Sequence, residues 1–285
     1  MTLADVLVRD SQKLRQALGL DLREARLESQ ILLCHALGVS RSHLISHDRD
    51  TLSPVQEIAY TALLTRRLAG EPVAYILGKR EFYGLEFQTT AAVLIPRPET
   101  ELLVELALER VPQDRPCAVL DLGTGSGAIA ITLARLRPLA QVTAVDQSPE
   151  ALALARENAD RLEANKLRLL RSDWFASLSG EKFDLIVSNP PYIAAADPHL
   201  QQGDVRFEPL SALASGADGL DAIRVIVATA PLHITPGGWL LFEHGYNQGE
   251  RCRNLLLQHG FDHIDTMPDL AGIPRVTLGA CTSKS

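Results

Sequence analysis

The chain has 285 residues, enough for one large domain or two ordinary ones, and its 46% apolar and 22% charged content is that of a soluble globular protein. Lys and Arg total 28 against 35 Asp and Glu, a formal net charge of −7, which argues against a protein that lives on nucleic-acid phosphates and needs a basic face. The basic stretch Arg161 to Arg171 reads as a solvated face.

No basic segment followed by an apolar one opens the chain, so no signal peptide is expected, and no apolar run approaches bilayer length. Cys34, Cys117, Cys252 and Cys281 lie far apart without a C-x-x-C pair, which suggests buried, reduced thiols and a cytoplasmic protein. His43 and His47 could share a helix face, yet they lack the Glu of H-E-x-x-H and a third ligand, so no metal is expected.

Residues 1 to about 70 read as helices. Thr2 can cap a helix carrying Leu3, Leu7, Leu14 and Leu18, and a second runs from Leu22 to Leu37 with Ala25, Leu32 and Ala36 on one side. Ser53-Pro54-Val55-Gln56 is a start signal for a third, which is expected to bury Val55, Ile58 and Ala62 and to stop near Gly70. Arg80 to Phe87 then reads as a short hairpin around Gly84. In Leu94-Ile95-Pro96-Arg97-Pro98-Glu99-Thr100-Glu101 two prolines keep the chain extended, and Glu99 or Thr100 opens a helix through Glu109. These changes of pattern divide the chain into a helical recognition or packing domain over 1–75, a hairpin connector over 76–98, and a second domain over 99–285.

In that second domain short apolar strands alternate with helices. The strands are Ala118–Leu120, Val142–Val145, Leu167–Leu170, Phe183–Ser188 and Trp239–Phe242, with a terminal antiparallel pair over Phe261–Ile264 and Val276–Gly279. Helices are expected over Ala128–Arg137, from Ser148 onward, over Asp221–Ala230 and over about Gln248–His259. The alternation implies an α/β fold with a parallel sheet covered on both faces.

Chemistry-bearing residues collect at the strands' carboxyl ends. Asp121-Leu122-Gly123-Thr124-Gly125-Ser126-Gly127 follows the first strand and opens a helix, where glycines permit a tight turn and close backbone approach to a ligand. Gly123, Gly125 and Ala128 also satisfy the loose dinucleotide fingerprint, so this loop alone does not choose between cofactors. Asp146 ends the second strand, where a carboxylate can accept from two ribose hydroxyls. Asp173-Trp174 follows the third, offering an aromatic face for adenine and an acid for its amine. After the fourth stands Asn189-Pro190-Pro191-Tyr192. Its prolines donate no N–H and stop a sheet ladder, so the Asn189 and Pro190 carbonyls and the Asn189 amide form an acceptor-rich rim beside Tyr192. Such a rim suits a planar, uncharged N–H₂ group. Alone, the tetrapeptide is equally an ordinary rigid turn. Beside the other strand-end motifs it has no evident use in a dehydrogenase and favours methyl transfer.

The D-L-G-T-G-S-G loop, N-P-P-Y and the preceding P-R-P-E-T-E together resemble class I, S-adenosylmethionine-dependent amino-methyltransferases. Over nearly the whole chain, including the amino-terminal helices and Val205-Arg206-Phe207-Glu208-Pro209, the sequence is similar to the HemK/PrmC family. Its members methylate the glutamine of the Gly-Gly-Gln motif in peptide chain release factors. The one departure noticed, Ser126 where Thr is also common, falls in a loop that works through its backbone.

The resemblance implies a class I (Rossmann-like) methyltransferase domain with a mostly parallel seven-stranded sheet, joined to a small N-terminal helical bundle. It also implies S-adenosyl-L-methionine as cofactor and S-adenosyl-L-homocysteine as product. Gly123, Thr124, Gly125, Ser126 and Gly127 would cradle the methionine part, Asp146 the ribose, and Trp174 would border the adenine. Asn189 would face both cofactor and substrate, and Asn189, Pro190, Pro191 and Tyr192 would hold the glutamine, with Asn189, Pro190 and Tyr192 serving catalysis. Leu94 to Arg97 would close the pocket. The expected partner is a class 1 release factor met by a monomer, with no direct nucleic-acid or membrane contact.

A glutamine nitrogen is a poor nucleophile because its lone pair is delocalised. Hydrogen bonds to the Asn189 oxygen and the Pro190 carbonyl would orient it and stabilise positive charge developing during in-line attack on a sulfonium methyl. The proton can leave after transfer, so no ionised base is demanded. An adenine-N6 nucleic-acid methyltransferase would use the same four residues on a flipped base, but would need a basic recognition surface. A non-catalytic adenosylmethionine or nucleotide-binding module would have no reason to combine Asn189 and Tyr192 with every cofactor position.

Overall fold

The computed structural model describes residues 1–281, which form two compact units. The first comprises Met1–Lys79 with Gln201–Phe207, the second Arg80–Leu200 with the chain from Glu208 onward.

The first unit is built from α1 (Leu3–Leu18), α2 (Leu22–Leu37), α3 (Arg41–Ser46), α4 (Pro54–Leu68) and α5 (Val73–Leu77). Thr2, Asp21 and Ser53 cap α1, α2 and α4 with reciprocal capping boxes to Asp5, Glu24 and Gln56. The core joins Leu7, Leu14, Leu32, Leu33, Tyr60 and Leu64. One expectation fails here. Val55 and Ile58 are 77% and 72% exposed, and Ala62 also faces solvent. Instead α4 turns Tyr60, Leu64 and Arg67 inward. The Arg67 guanidinium accounts for the choice: it pairs with Glu28 at 2.7 Å and Asp204 at 2.8 Å, and donates to the Gly70 and Glu71 carbonyls. A buried charge is tolerated only when paired in this way.

The second unit opens within β1 (Lys79–Phe82), which forms the expected hairpin with β2 (Leu85–Gln88). Tyr83 and Gly84 turn it at φ 53° and 73°, the positive pair that a tight two-residue hairpin turn requires. A single turn over Pro98–Thr100 leads into α6 (Glu101–Leu108). Then follow β3 (Cys117–Leu122), α7 (Ala128–Leu136), β4 (Ala140–Asp146), α8 (Pro149–Arg161), β5 (Arg168–Arg171) and β6 (Phe183–Ser188). The unit ends with α9 (Asp221–Thr229), β7 (Ile234–Glu243), α10 (Gly249–Gln258), β8 (Phe261–Pro268) and β9 (Pro274–Cys281). The last three strands run longer than their apolar cores alone suggest, each carried past a register shift or turn residue.

Seven strands form one sheet in the order β5-β4-β3-β6-β7-β9-β8, parallel except for β9, which runs antiparallel to both neighbours. Side chains alternate between faces, as the pleat dictates. Val119 enters a core with Leu103, Ile129 and Ile131 of α6 and α7, whereas Leu120 and Leu122 pack with Ile223, Ile226 and Leu256 of α9 and α10. Because β4 and β6 leave β3 on opposite sides, a crevice opens beyond their carboxyl ends.

Candidate active site

Into that crevice falls a cavity of about 500 Å³, within the ordinary range for small-molecule sites. Gly123, Thr124, Gly125, Ser126, Asp146, Trp174, Asn189 and Pro191 all line it. Val93, Leu94, Pro96 and Arg97 line it as well. Three sequence-predicted residues are placed differently: Gly127, Pro190 and Tyr192 do not line the cavity.

The loop after β3 is held by its backbone. The Gly123 and Thr124 N–H groups donate to the Val145 carbonyl at 2.9 and 3.0 Å. Gly123, Gly125 and Gly127 sit at φ 72°, 56° and 83°, where a Cβ would be strained. Gly127 has a further reason to be glycine, since a Cβ there would lie 2.7 Å from Ile131 Cδ1. Asp146 ties the two strand ends together. Its Oδ2 accepts from the Gly125 N–H and its Oδ1 from the Ser148 N–H, each at 2.9 Å. Each carboxylate oxygen keeps lone-pair capacity for another donor. Beneath the loop the Asp121 carboxyl is wholly buried, accepts from Thr124 Oγ1 at 2.6 Å, and is pushed up to about 7 by burial. Trp174, at φ 46°, places its ring against Gly123.

The other side of the cavity is a polar chain that the sequence does not announce. Asn189 Nδ2 donates to Thr100 Oγ1 at 3.1 Å, and Thr100 Oγ1 donates to Glu243 Oε2 at 2.7 Å. Tyr192 donates its hydroxyl to Glu243 Oε1 at 3.1 Å, while its ring packs against the core beneath α9 and α10. Glu243 is 1% exposed, and burial raises its pKa against the lowering effect of the two hydroxyls. Burial likewise raises that of Tyr192. The Asn189 Oδ1 atom is buried and has no hydrogen-bond partner. No hydrogen bond among the described residues reaches the Asn189 or Pro190 carbonyl. An acceptor end therefore belongs to the cavity that the glycine loop also lines, its amide anchored from behind by the Thr100 oxygen, which accepts from Nδ2.

Thr100 and Glu243 are the functional candidates that motif reading overlooks. Thr100 lies within the P-R-P-E-T-E motif but reads there only as a helix start, and Glu243 reads only as the close of an apolar strand. Arg97, at the opposite wall, pairs at 2.6 Å with Glu208, whose side chain is fully buried. His43 and His47 stack ring on ring at 3.9 Å, and no cluster of metal-ligating side chains exists among the described residues.

Comparison with known proteins agrees with this geometry. The PrmC N-terminal domain family matches residues 6–78, and the methyltransferase small domain family matches residues 99–204. A release factor glutamine methyltransferase of Pseudomonas aeruginosa is 50% identical over 279 residues, covering 98% of this chain and 99% of its own. One from Xylella fastidiosa is 49% identical over 259 residues (91% and 94%), and one from Escherichia coli 47% identical over 254 residues (89% and 91%). Among solved structures, a methyltransferase from Pyrococcus furiosus superimposes with a TM-score of 0.55 at 17% identity, covering 78% of this chain and 100% of that one. A 16S rRNA methyltransferase of T. thermophilus, in complex with AdoMet and guanosine, gives 0.54 at 23% identity, covering 71% and 49%. These two likenesses concern the fold.

Proposed function

Because the chain belongs to the release factor glutamine methyltransferase family, we propose that its strand-end cavity brings a methyl donor to the side-chain amide of the glutamine in a release factor's Gly-Gly-Gln motif. The enzyme is an S-adenosyl-L-methionine-dependent methyltransferase that leaves S-adenosyl-L-homocysteine. The residues present fit that cofactor. A loop in left-handed backbone geometry leaves room for close approach, a carboxylate with spare lone pairs closes β4, and an indole stands beyond β5. Gly123 to Ser126 would hold the methionine part, Asp146 the ribose and Trp174 the adenine. Bound there, the cofactor supplies an electrophilic methyl group on a sulfonium.

The unpartnered, buried Asn189 Oδ1 carries the assignment of the substrate end. A buried acceptor without a donor is costly, and a glutamine N–H₂ would satisfy it. The Asn189 oxygen and the Pro190 carbonyl orient the amide nitrogen and stabilise the positive charge that builds on it. Pro191 lines the cavity beside them. Tyr192, tied to Glu243 and packed on the core, makes the loop rigid. In this reading residues 1–75 recognise the release factor, 76–98 connect, and 99–285 carry the chemistry, a division supported by separate family matches over 6–78 and 99–204. The net charge of −7 supports a protein partner without nucleic-acid contact. A monomer acting in the cytoplasm, where release factors work, completes the reading. No helix among the described residues is long and apolar enough to cross a membrane.

The adenine-N6 alternative is not favoured, since relatives about 50% identical across the chain bear the release factor name. Incubation with labelled cofactor and either a purified release factor or DNA tests the choice. Label is expected in the release factor; label in DNA alone would overturn the reading, and label in neither would indicate a binding module.

A further inference from the structure

The side chain of asparagine has two nearly isosteric ends, one a double donor and the other an acceptor. For Asn189 to receive an N–H₂ group, its oxygen must face the cavity. Nothing in the tetrapeptide itself selects that orientation. We infer that Thr100 and Glu243 are positioning residues that set the polarity of the Asn189 amide, so that Oδ1 and not Nδ2 is presented to the substrate.

The chain of donors leaves one solution. Both hydroxyls that reach Glu243 donate to it, Thr100 to Oε2 and Tyr192 to Oε1, so the carboxyl serves each of them as acceptor. Thr100 has a single hydroxyl hydrogen, and at 2.7 Å it is committed to Glu243 Oε2. What Thr100 offers Asn189 at 3.1 Å is therefore a lone pair, which only the amide N–H₂ can use. The reversed amide would set oxygen against oxygen with no hydrogen between them. Tyr192 occupies the second oxygen of Glu243 with its own single hydrogen, so the carboxylate cannot turn away. The two side chains that converge on Glu243, Thr100 and Tyr192, come from the start of α6 and the loop after β6, while Glu243 itself ends β7. Thr100 and Glu243 are both buried, at 5% and 1% exposure, so water cannot substitute for either partner. If this position served packing alone, an apolar side chain would fill it without the desolvation that a buried carboxylate costs.

The inference rests on the reading of Asn189 as the substrate's acceptor, and its test separates the two. Thr100→Val keeps shape and removes the hydroxyl; Thr100→Ser keeps the hydroxyl; Glu243→Gln makes the accepting end ambiguous. Thr100→Val and Glu243→Gln are expected to lower kcat about ten- to hundredfold, the scale of one misdirected buried hydrogen bond. Affinity for S-adenosyl-L-homocysteine, measured by titration, should stay within about twofold and Thr100→Ser within about threefold of the parent, because neither change touches the glycine loop. In an Asn189→Ala background, Thr100→Val should cost less than about twofold more, since no amide remains to be oriented. The inference is overturned if Thr100→Val stays within twofold of the parent while Asn189→Ala does not. It is overturned equally if Thr100→Val costs as much with Asn189 absent, or if Thr100→Ser is no better than Val. Should Thr100→Val fail to fold, Glu243→Gln in the same two backgrounds decides by the same criterion. If Asn189→Ala itself leaves turnover intact, it is the acceptor role of Asn189 that fails.

Discussion

Asn189 Nδ2 donates to Thr100 Oγ1 at 3.1 Å across 89 residues of chain, and this bond leaves Asn189 Oδ1 buried with no protein donor. The N-P-P-Y loop is thereby more than a rigid turn: one end of its amide is spent on the fold and the other is held in reserve.

Asn189→Ala removes the reserved acceptor and should lower single-turnover methylation by at least about a hundredfold, the range for a lost transition-state hydrogen-bonding group. S-adenosyl-L-homocysteine binding should change by no more than a few-fold, because the cofactor contacts proposed for the glycine loop and Asp146 do not involve the side chain removed. Methylation within a few-fold of the parent would remove Asn189 from the mechanism.

Asp121 makes stability depend on pH. Its buried carboxyl is raised from 3.8 to about 7, so the folded state binds the proton more tightly than the unfolded chain. This contribution is fully present below pH 3.8 and is lost as pH rises through about 7. Asp121→Asn keeps an acceptor for Thr124 without the charge. It should be more stable than the parent at pH 8, by a few kcal/mol, with the advantage shrinking toward pH 5. Chemical denaturation at both pH values measures this; an equal difference at the two would contradict it.

Gly127→Ala combines a φ of 83° with a contact of 2.7 Å to Ile131 Cδ1. It should cost roughly 1–3 kcal/mol and lower the melting temperature of the cofactor-free protein by several degrees. A wild-type melting temperature with weakened cofactor binding would mean that this glycine serves the ligand directly.

Arg97 and Glu208 should couple. Truncating Arg97 removes one charged partner of a fully buried carboxylate, an effect of about 1–2 kcal/mol given that Arg97 itself is part-exposed. Arg97→Ala is expected to destabilise more than Arg97→Ala with Glu208→Gln. Additive losses in thermal or urea denaturation would show that the pair is not an energetic unit.

On α4, Ile58→Ser should change stability by no more than about 0.5 kcal/mol, whereas Leu64→Ala should cost about 2–5 kcal/mol. The reverse ranking would restore the face that periodicity favours. That face misleads because α4 carries two stripes, Val55-Ile58-Ala62 and Tyr60-Leu64-Arg67. Hydrophobicity prefers the first. The second wins because Glu28 and Asp204 neutralise Arg67, and pairing partners 39 and 137 residues away leave no local trace.

The same limit applies at the cavity. Gly123 to Ser126, Asp146, Trp174 and Asn189 are legible because each is local to a strand end, and a parallel sheet gathers its strand ends in one place. Thr100 and Glu243 are not, because the hydrogen bond that joins them spans 143 residues. Tyr192 was legible as part of the motif, but its hydroxyl's attachment to Glu243, 51 residues on, was not.

The central claim is that Asn189 presents an acceptor to the amide of one glutamine. It is tested most directly by fragment-ion mass spectrometry of a release factor after reaction with the enzyme and S-adenosyl-L-methionine. A single methyl group on the side-chain nitrogen of the Gly-Gly-Gln glutamine, lost with Asn189→Ala, is the predicted result. A methyl group on any other residue, or an unchanged yield from Asn189→Ala, would contradict it.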